Sequence, residues 1–444
     1  MMEINKILHL FSLLIIYFFS GYFFERKETE IICFLFFLCF ALTFLMSKKL
    51  SVKEILFFGI AFRLILLFTY PWLSDDFYRF IWDGLVIGEN INPYEYTPSE
   101  LLKNGEVLGT KKIYGELYGK MSTLNSTNYS PYPPINQFLF FLSTSFKKDI
   151  FFSLISMRLL IILSDILNFF IGCRILKKLK FKEEKILWYF LNPLVIIELT
   201  GNLHFEGFML TFFGFGILLF LENKKLFALF PLAFSVGTKL ITIIIIPFFI
   251  NYENRKENLK MIILLLGLLF CMFYFPIGIN NLPNFYNTIK LWFSNLEFNG
   301  SVYYIIRHLG YKIKGYNIIK SVGFITPILT TIIMFYLLLI KNNQKIKIIL
   351  ENMFLLLCFF YMISMVVHPW YIITILYLGL FTKYNFQIIW SAMIFLTYFA
   401  YKNYNVEENF YLIGLEYIVV FGFFIYDFFN REKIKAFSKK RSLL

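Results

Sequence analysis

The chain has 444 residues, of which 58% are hydrophobic and only 16% charged, and its mean hydropathy is +0.65. That composition excludes an ordinary soluble domain and assigns the chain to the polytopic membrane proteins. The formal net charge of +14 reflects membrane topology, because nucleic-acid binding would need basic residues clustered on an exposed domain.

Apolar runs near spanning length recur at residues 7–24, 31–40, 55–70, 151–173, 186–199 and 205–221, then at 261–279, 322–340, 354–367, 371–380, 386–399 and 411–429. The first is read as a retained helix, since no small-residue cleavage site follows it. Residues 226–250 differ, because Gly237, Thr238 and Lys239 interrupt their centre. Two short helices meeting near Lys239 suit this run better than one straight span, in which the lysine could not reach water. The expected fold is an all-α polytopic membrane protein. Residues 1–444 form one integral membrane domain of about 12–13 spanning or partly spanning helices.

Lysine and arginine set the orientation. Residues 174–185 carry six basic and two acidic side chains, and residues 431–441 carry six and one. These segments fall on one side if both termini are cytoplasmic, as the positive-inside rule expects. Arg26 and Lys27 are the exception, lying outside among Glu25, Glu28 and Glu30. Residues 71–150 then form a large outer loop, with nine acidic and seven basic residues. The short apolar stretch 135–146 within it is expected at the membrane interface. The five cysteines show no metal-ligand spacing and read as packing residues.

Polar groups gather on the outer side. Asp75 and Asp76 open the loop, followed by Arg79 and Asp83, with Asn92, Tyr94 and the stiff Tyr129–Pro134 stretch further on. Asn202, His204 and Glu206 occupy one later turn, and His368-Pro369-Trp370-Tyr371 another. Each has a structural reading as well. An aspartate caps a helix, Arg79 and Asp83 pair four residues apart, and aromatics line membrane interfaces. Asn125-Ser-Thr matches a glycosylation sequon that carries little information. Adjacent carboxylates at a membrane edge suit proton or cation transport, a divalent metal, or activation of a sugar hydroxyl. The residues alone leave these chemistries open.

The run from Ser74 to Gly84, SDDFYRFIWDG, with Asn92-Pro93-Tyr94, resembles the first outer loop of bacterial and archaeal polyprenyl-phosphate-sugar-dependent glycosyltransferases. These belong to the GT-C superfamily, and the likeness is greatest to mannosyltransferase-like members. Tyr132-Pro133-Pro134, Gly201–Glu206, Thr238-Lys239 and the HPWY turn extend the resemblance across most of the chain. It implies a GT-C type transmembrane bundle whose large first outer loop forms part of the active site. The implied activity is inverting transfer of a hexose, mannose by family, from a polyprenyl-phosphate donor to a glycolipid or glycan acceptor. The setting is the outer face of the cytoplasmic membrane, with no nucleic acid involved.

Residue by residue, one of Asp75 and Asp76 would be the base, Asp75 being favoured. Arg79, Lys239 and His368 would meet the donor phosphate. His204 and Glu206 would line the sugar or acceptor pocket, Glu206 standing where relatives commonly carry aspartate. Asn92, Tyr94 and Tyr132 would shape the loop over that cavity, and Tyr371 would join the residues that bind donor or substrate. Some relatives use a divalent metal, but no ligand set is legible here. The competing reading is a lipid-linked glycan polymerase or flippase.

Overall fold

The computed structural model describes residues 2–103, 112–250, 255–340, 345–402 and 406–441. Residues 104–111 of the expected outer loop lie outside them. Among the described residues all regular structure is helical, apart from one isolated bridge between Phe298 and Val366. Among the described residues, seven helices are long and apolar enough to cross a membrane: Lys6–Phe23, Thr29–Met46, Ile150–Lys178, Arg255–Ile277, Ile319–Leu339, Ile346–Ile363 and Phe410–Asn430. A further pair, Pro193–Gly201 and Glu206–Leu221, is bent by 115° at its break. Four shorter apolar helices accompany them: Lys225–Thr238, Leu240–Ile250, Pro369–Gly379 and Phe386–Tyr401. The protein is an all-α, multi-pass membrane protein. Exposed Phe34, Phe57, Ile263, Phe324 and Ile418 give it an apolar exterior that suits lipid.

Two apolar runs depart from simple spans. Residues 55–70 supply a helix of only 14 residues, Val52–Ile65, started by a capping box between Ser51 and Glu54. Residues 186–199 form several short pieces. The Asn192 side chain accepts a bond from the Leu194 amide at 3.0 Å, and Pro193, lacking an amide hydrogen, cannot continue the preceding helix. Wide π-helical turns then run over Ile196–Gly201. Of the five cysteines, Cys271 is exposed on its helix, and the other four are buried as expected.

The bundle interior holds a fully buried ion pair, Arg63 Nε to Asp165 Oδ2 at 2.8 Å. Unpaired charges at such depth are costly, and here each is further bonded. Arg63 donates to the carbonyls of Gly59 and Phe190 at 3.0 and 2.8 Å. The Tyr189 hydroxyl donates to Asp165 at 2.8 Å, and the Asn168 amide donates to Tyr189 and to the Gly207 carbonyl. The network therefore ties three helical segments to the residue beside Glu206.

The loop over residues 71–150 is largely helical, with Asp76–Gly88, Pro98–Lys103, Lys112–Lys120, Thr123–Thr127 and Pro134–Thr144. Its two longest helices meet at Gly84, where a Cβ would come within 2.4 Å of the Phe140 carbonyl oxygen. Arg79 fastens the remainder. Its Nε bonds Asp83 at 2.7 Å, and its Nη1 donates to the carbonyls of Asn125 and Asn128. Asp83 in turn accepts from Ser130 and Gln137 at 2.6 and 2.8 Å.

Candidate functional site

Breaks in regular structure build the site. The first is the turn into helix Asp76–Gly88, where the Leu73 amide donates to Asn202 Oδ1 at 3.1 Å. That bond joins the loop to a second break, at Gly201–Glu206. Here Arg158, buried in helix Ile150–Lys178, donates to the carbonyls of Thr200, Leu67 and Gly201 at 2.8, 2.8 and 3.3 Å. A cation suits the carbonyl end of a helix. Leu203 takes a φ of 65°, an uncommon conformation for leucine that signals strain. The Trp72 indole lies so close to Gly201 that a Cβ would come within 2.7 Å of it.

The third break is at Lys239, as its sequence leads one to expect. Helix Lys225–Thr238 ends there, Lys239 is extended, and a tight 3-10 turn follows over Leu240–Ile244. Interrupting the helix lets the lysine side chain leave the bundle axis. Its Nζ lies 3.0 Å from Glu206 Oε1 and 5.8 Å from the centre of the Tyr132 ring.

Asp76 is half-buried and accepts a bond from Asn125 Nδ2 at 3.0 Å. Burial raises its carboxyl above the usual aspartate range, against the lowering effects of the Asn125 bond and of nearby Lys239 and Arg26. Asp75 points into solvent instead, 3.2 Å from Arg26 Nη1. His204 and His368 both stack on Trp370, with ring centres 3.7 and 4.4 Å away. Burial, with Arg26 and Lys239 nearby, pushes the His368 imidazole down to about 3, so it is neutral at physiological pH. It can donate or accept a hydrogen bond but carries no charge to a phosphate. Tyr371 meets His368 edge-on at 5.4 Å.

The cluster thus brings together Asp75, Asp76, Lys239, Glu206, His204, His368, Tyr132 and Tyr371. Three expected site residues stand instead in the scaffold. Arg79 is held as described above, and it lines a recess with Thr288 and Trp292. Asn92 donates to the carbonyls of Pro276 and Ile277, both at 3.1 Å. Tyr94 donates to the Tyr132 carbonyl at 2.6 Å. Asn92 thus binds the loop to the end of helix Arg255–Ile277, whereas the Tyr94 bond stays within the loop and its ring packs with Ile277.

Other members were not singled out from sequence. Glu198 is fully buried, accepts from the Tyr398 hydroxyl at 2.5 Å, and lies 3.6 Å from His204 Nε2. Arg26 lies over the Tyr401 ring at 3.3 Å. Asn125 had only its sequon to mark it. Arg26 did leave a signal, as a basic residue on the side where the charge pattern disfavours one. Glu206 Oε2, His204 Nε2, His368 Nδ1, Trp72 Nε1 and Arg26 Nε are all buried without a hydrogen-bond partner among the described residues. Such groups are costly to leave unmet, and together they suit a polar ligand. Among the described residues no group of three or more His, Cys, Asp or Glu side chains is arranged to hold a metal ion.

Residues 30–253 match the family described as alpha-(1->6)-mannopyranosyltransferase, N-terminal domain (MptA_B family). The chain belongs to this family. No curated protein matches it. Family and fold together make the chain a glycosyltransferase acting at a membrane. Within the MptA_B match lie Asp75, Asp76, Asn125, His204, Glu206 and Lys239, whereas Arg26, His368, Trp370, Tyr371 and Tyr401 fall outside it.

Proposed function

We propose that this protein transfers a hexose, mannose by its family, from a polyprenyl-phosphate donor to a glycolipid or glycan acceptor. Transfer takes place at the outer face of a bacterial or archaeal cytoplasmic membrane, with both termini cytoplasmic. The whole chain acts as one membrane domain whose loop over residues 71–150 forms part of the active site. The observation that carries this reading is a half-buried carboxylate, Asp76, bonded by Asn125 at 3.0 Å, in one cluster with the Lys239–Glu206 ion pair and the stacked His204 and His368 rings.

Asp76 is the better base of the adjacent pair, since Asp75 is exposed and already paired with Arg26. In the reaction Asp76 takes the proton of the acceptor hydroxyl as that oxygen bonds the anomeric carbon. The bond from that carbon to the phosphate oxygen breaks, and its electron pair stays on the phosphate. A single displacement inverts the anomeric centre. The departing polyprenyl phosphate gains a negative charge, which a preorganised cation such as Lys239 stabilises. Neutral His368 offers it a hydrogen bond. His204 and Glu206 hold sugar or acceptor hydroxyls, and spanning helices let the lipid donor enter from the bilayer.

The test is in vitro transfer from a panel of polyprenyl-phosphate sugars, with the product identified by mass. Asp76→Asn should abolish transfer, while Asp75→Asn should retain a measurable rate. Wild-type turnover in Asp76→Asn would sink the catalytic assignment.

A further inference from the structure

Arg26 lies between helices Met2–Phe23 and Thr29–Met46, on the side where the positive-inside pattern disfavours it. Its guanidinium carbon lies over the Tyr401 ring, 3.3 Å from the ring centre, an arrangement that holds a cation without neutralising it. Among the described residues its one ion-pair partner is Asp75, whose side chain is 57% exposed, and so exposed a pair is weak. The Nε edge is buried and has no hydrogen-bond partner among the described residues. Arg26 also acts electrostatically on Asp76 and His368, as Lys239 does. A planar fork of donors, held over a ring and sharing the neighbours Asp76 and His368 with a second cation, Lys239, suits the bidentate geometry of a phosphate.

We propose that Arg26 is the second cation of the donor phosphate site, alongside Lys239, and that Asp75 holds it until the phosphate replaces that carboxylate. The inference rests on the lipid-phosphate donor of the proposed function. It also divides the adjacent aspartates by role. Asp76 takes the proton, and Asp75 is an exchangeable partner that positions Arg26.

The experiment measures binding of polyprenyl phosphate to the full-length protein in detergent, with uncharged polyprenol and inorganic phosphate as comparison ligands. Donor KM and kcat are measured alongside. Arg26→Gln should weaken polyprenyl-phosphate binding and raise donor KM about 10- to 100-fold, the size of one charge-assisted hydrogen bond, without changing polyprenol binding. Arg26→Lys should recover part of the loss, and Asp75→Asn should bind polyprenyl phosphate more tightly than wild type. Equal binding by wild type and Arg26→Gln overturns the inference and leaves the donor reading standing. Weaker binding by Asp75→Asn overturns its holding role. If wild type does not distinguish polyprenyl phosphate from polyprenol, both the inference and the donor reading fall. Binding of inorganic phosphate as tight as that of the lipid would show a free-anion site and overturn the assignment to a lipid headgroup.

Discussion

Lys239 Nζ lies 3.0 Å from Glu206 Oε1, so two interruptions of the membrane helices meet in a single ion pair. Glu206 is buried, its second oxygen has no hydrogen-bond partner, and Lys239 is only about a fifth exposed. Removing the lysine would strand a buried carboxylate, whereas removing both charges would not.

That asymmetry separates structure from chemistry. Lys239→Met should lower the thermal unfolding midpoint in detergent and abolish transfer. Adding Glu206→Gln should restore most of the midpoint and none of the transfer. Thermal scans and turnover assays on the same three preparations check it. A double variant that recovers activity would leave Lys239 with a structural role only.

In the proposed mechanism Asp76 sets the pH dependence. As a base it must be ionised, so kcat/KM should fall as pH drops through its raised pKa, at a pH above the ~3.9 of an ordinary aspartate. The bond from Asn125 lowers that pKa, so Asn125→Ala should move the acidic limb upward. The same raised pKa means the folded protein binds the proton more tightly than the unfolded chain. Its contribution to stability is therefore complete below about pH 3.9 and is lost as pH rises through the folded-state value. Asp76→Asn should accordingly be at least as stable as wild type at neutral pH, though inactive. A pH–rate profile and a thermal midpoint at pH 7 test the two halves.

Gly84 tests how closely the loop must be packed. A methyl group there would meet backbone, not a movable side chain, at 2.4 Å. Gly84→Ala should therefore push helix Asp76–Gly88 away from Pro134–Thr144, with a cost of about 1–3 kcal/mol. Transfer should fall because Asp76 begins the displaced helix. Unchanged turnover would mean that the loop packing does not govern the position of Asp76.

Much of this arrangement is legible in the sequence where a residue conflicts with its surroundings. Gly237-Thr238-Lys239 interrupts an apolar run, and the helix breaks there. The adjacent aspartates and the HPWY turn stand out against apolar neighbours in the same way. Arg79 was harder, because its pairing with Asp83 follows from spacing but its bonds to the carbonyls of Asn125 and Asn128 involve backbone that sequence does not show. Asn125 and Tyr401 become meaningful only through neighbours 49 positions away for Asn125 and even further off for Tyr401. Local periodicity contains no trace of such contacts.

The stacking of His204 on Trp370 bears on how this enzyme can be divided. The MptA_B match ends at residue 253, so His204 lies inside it and Trp370 well beyond. A boundary drawn at that point would cut through the candidate site, not between modules. Exchanging C-terminal halves between relatives would therefore require the 204 and 370 positions to be inherited as a matched pair.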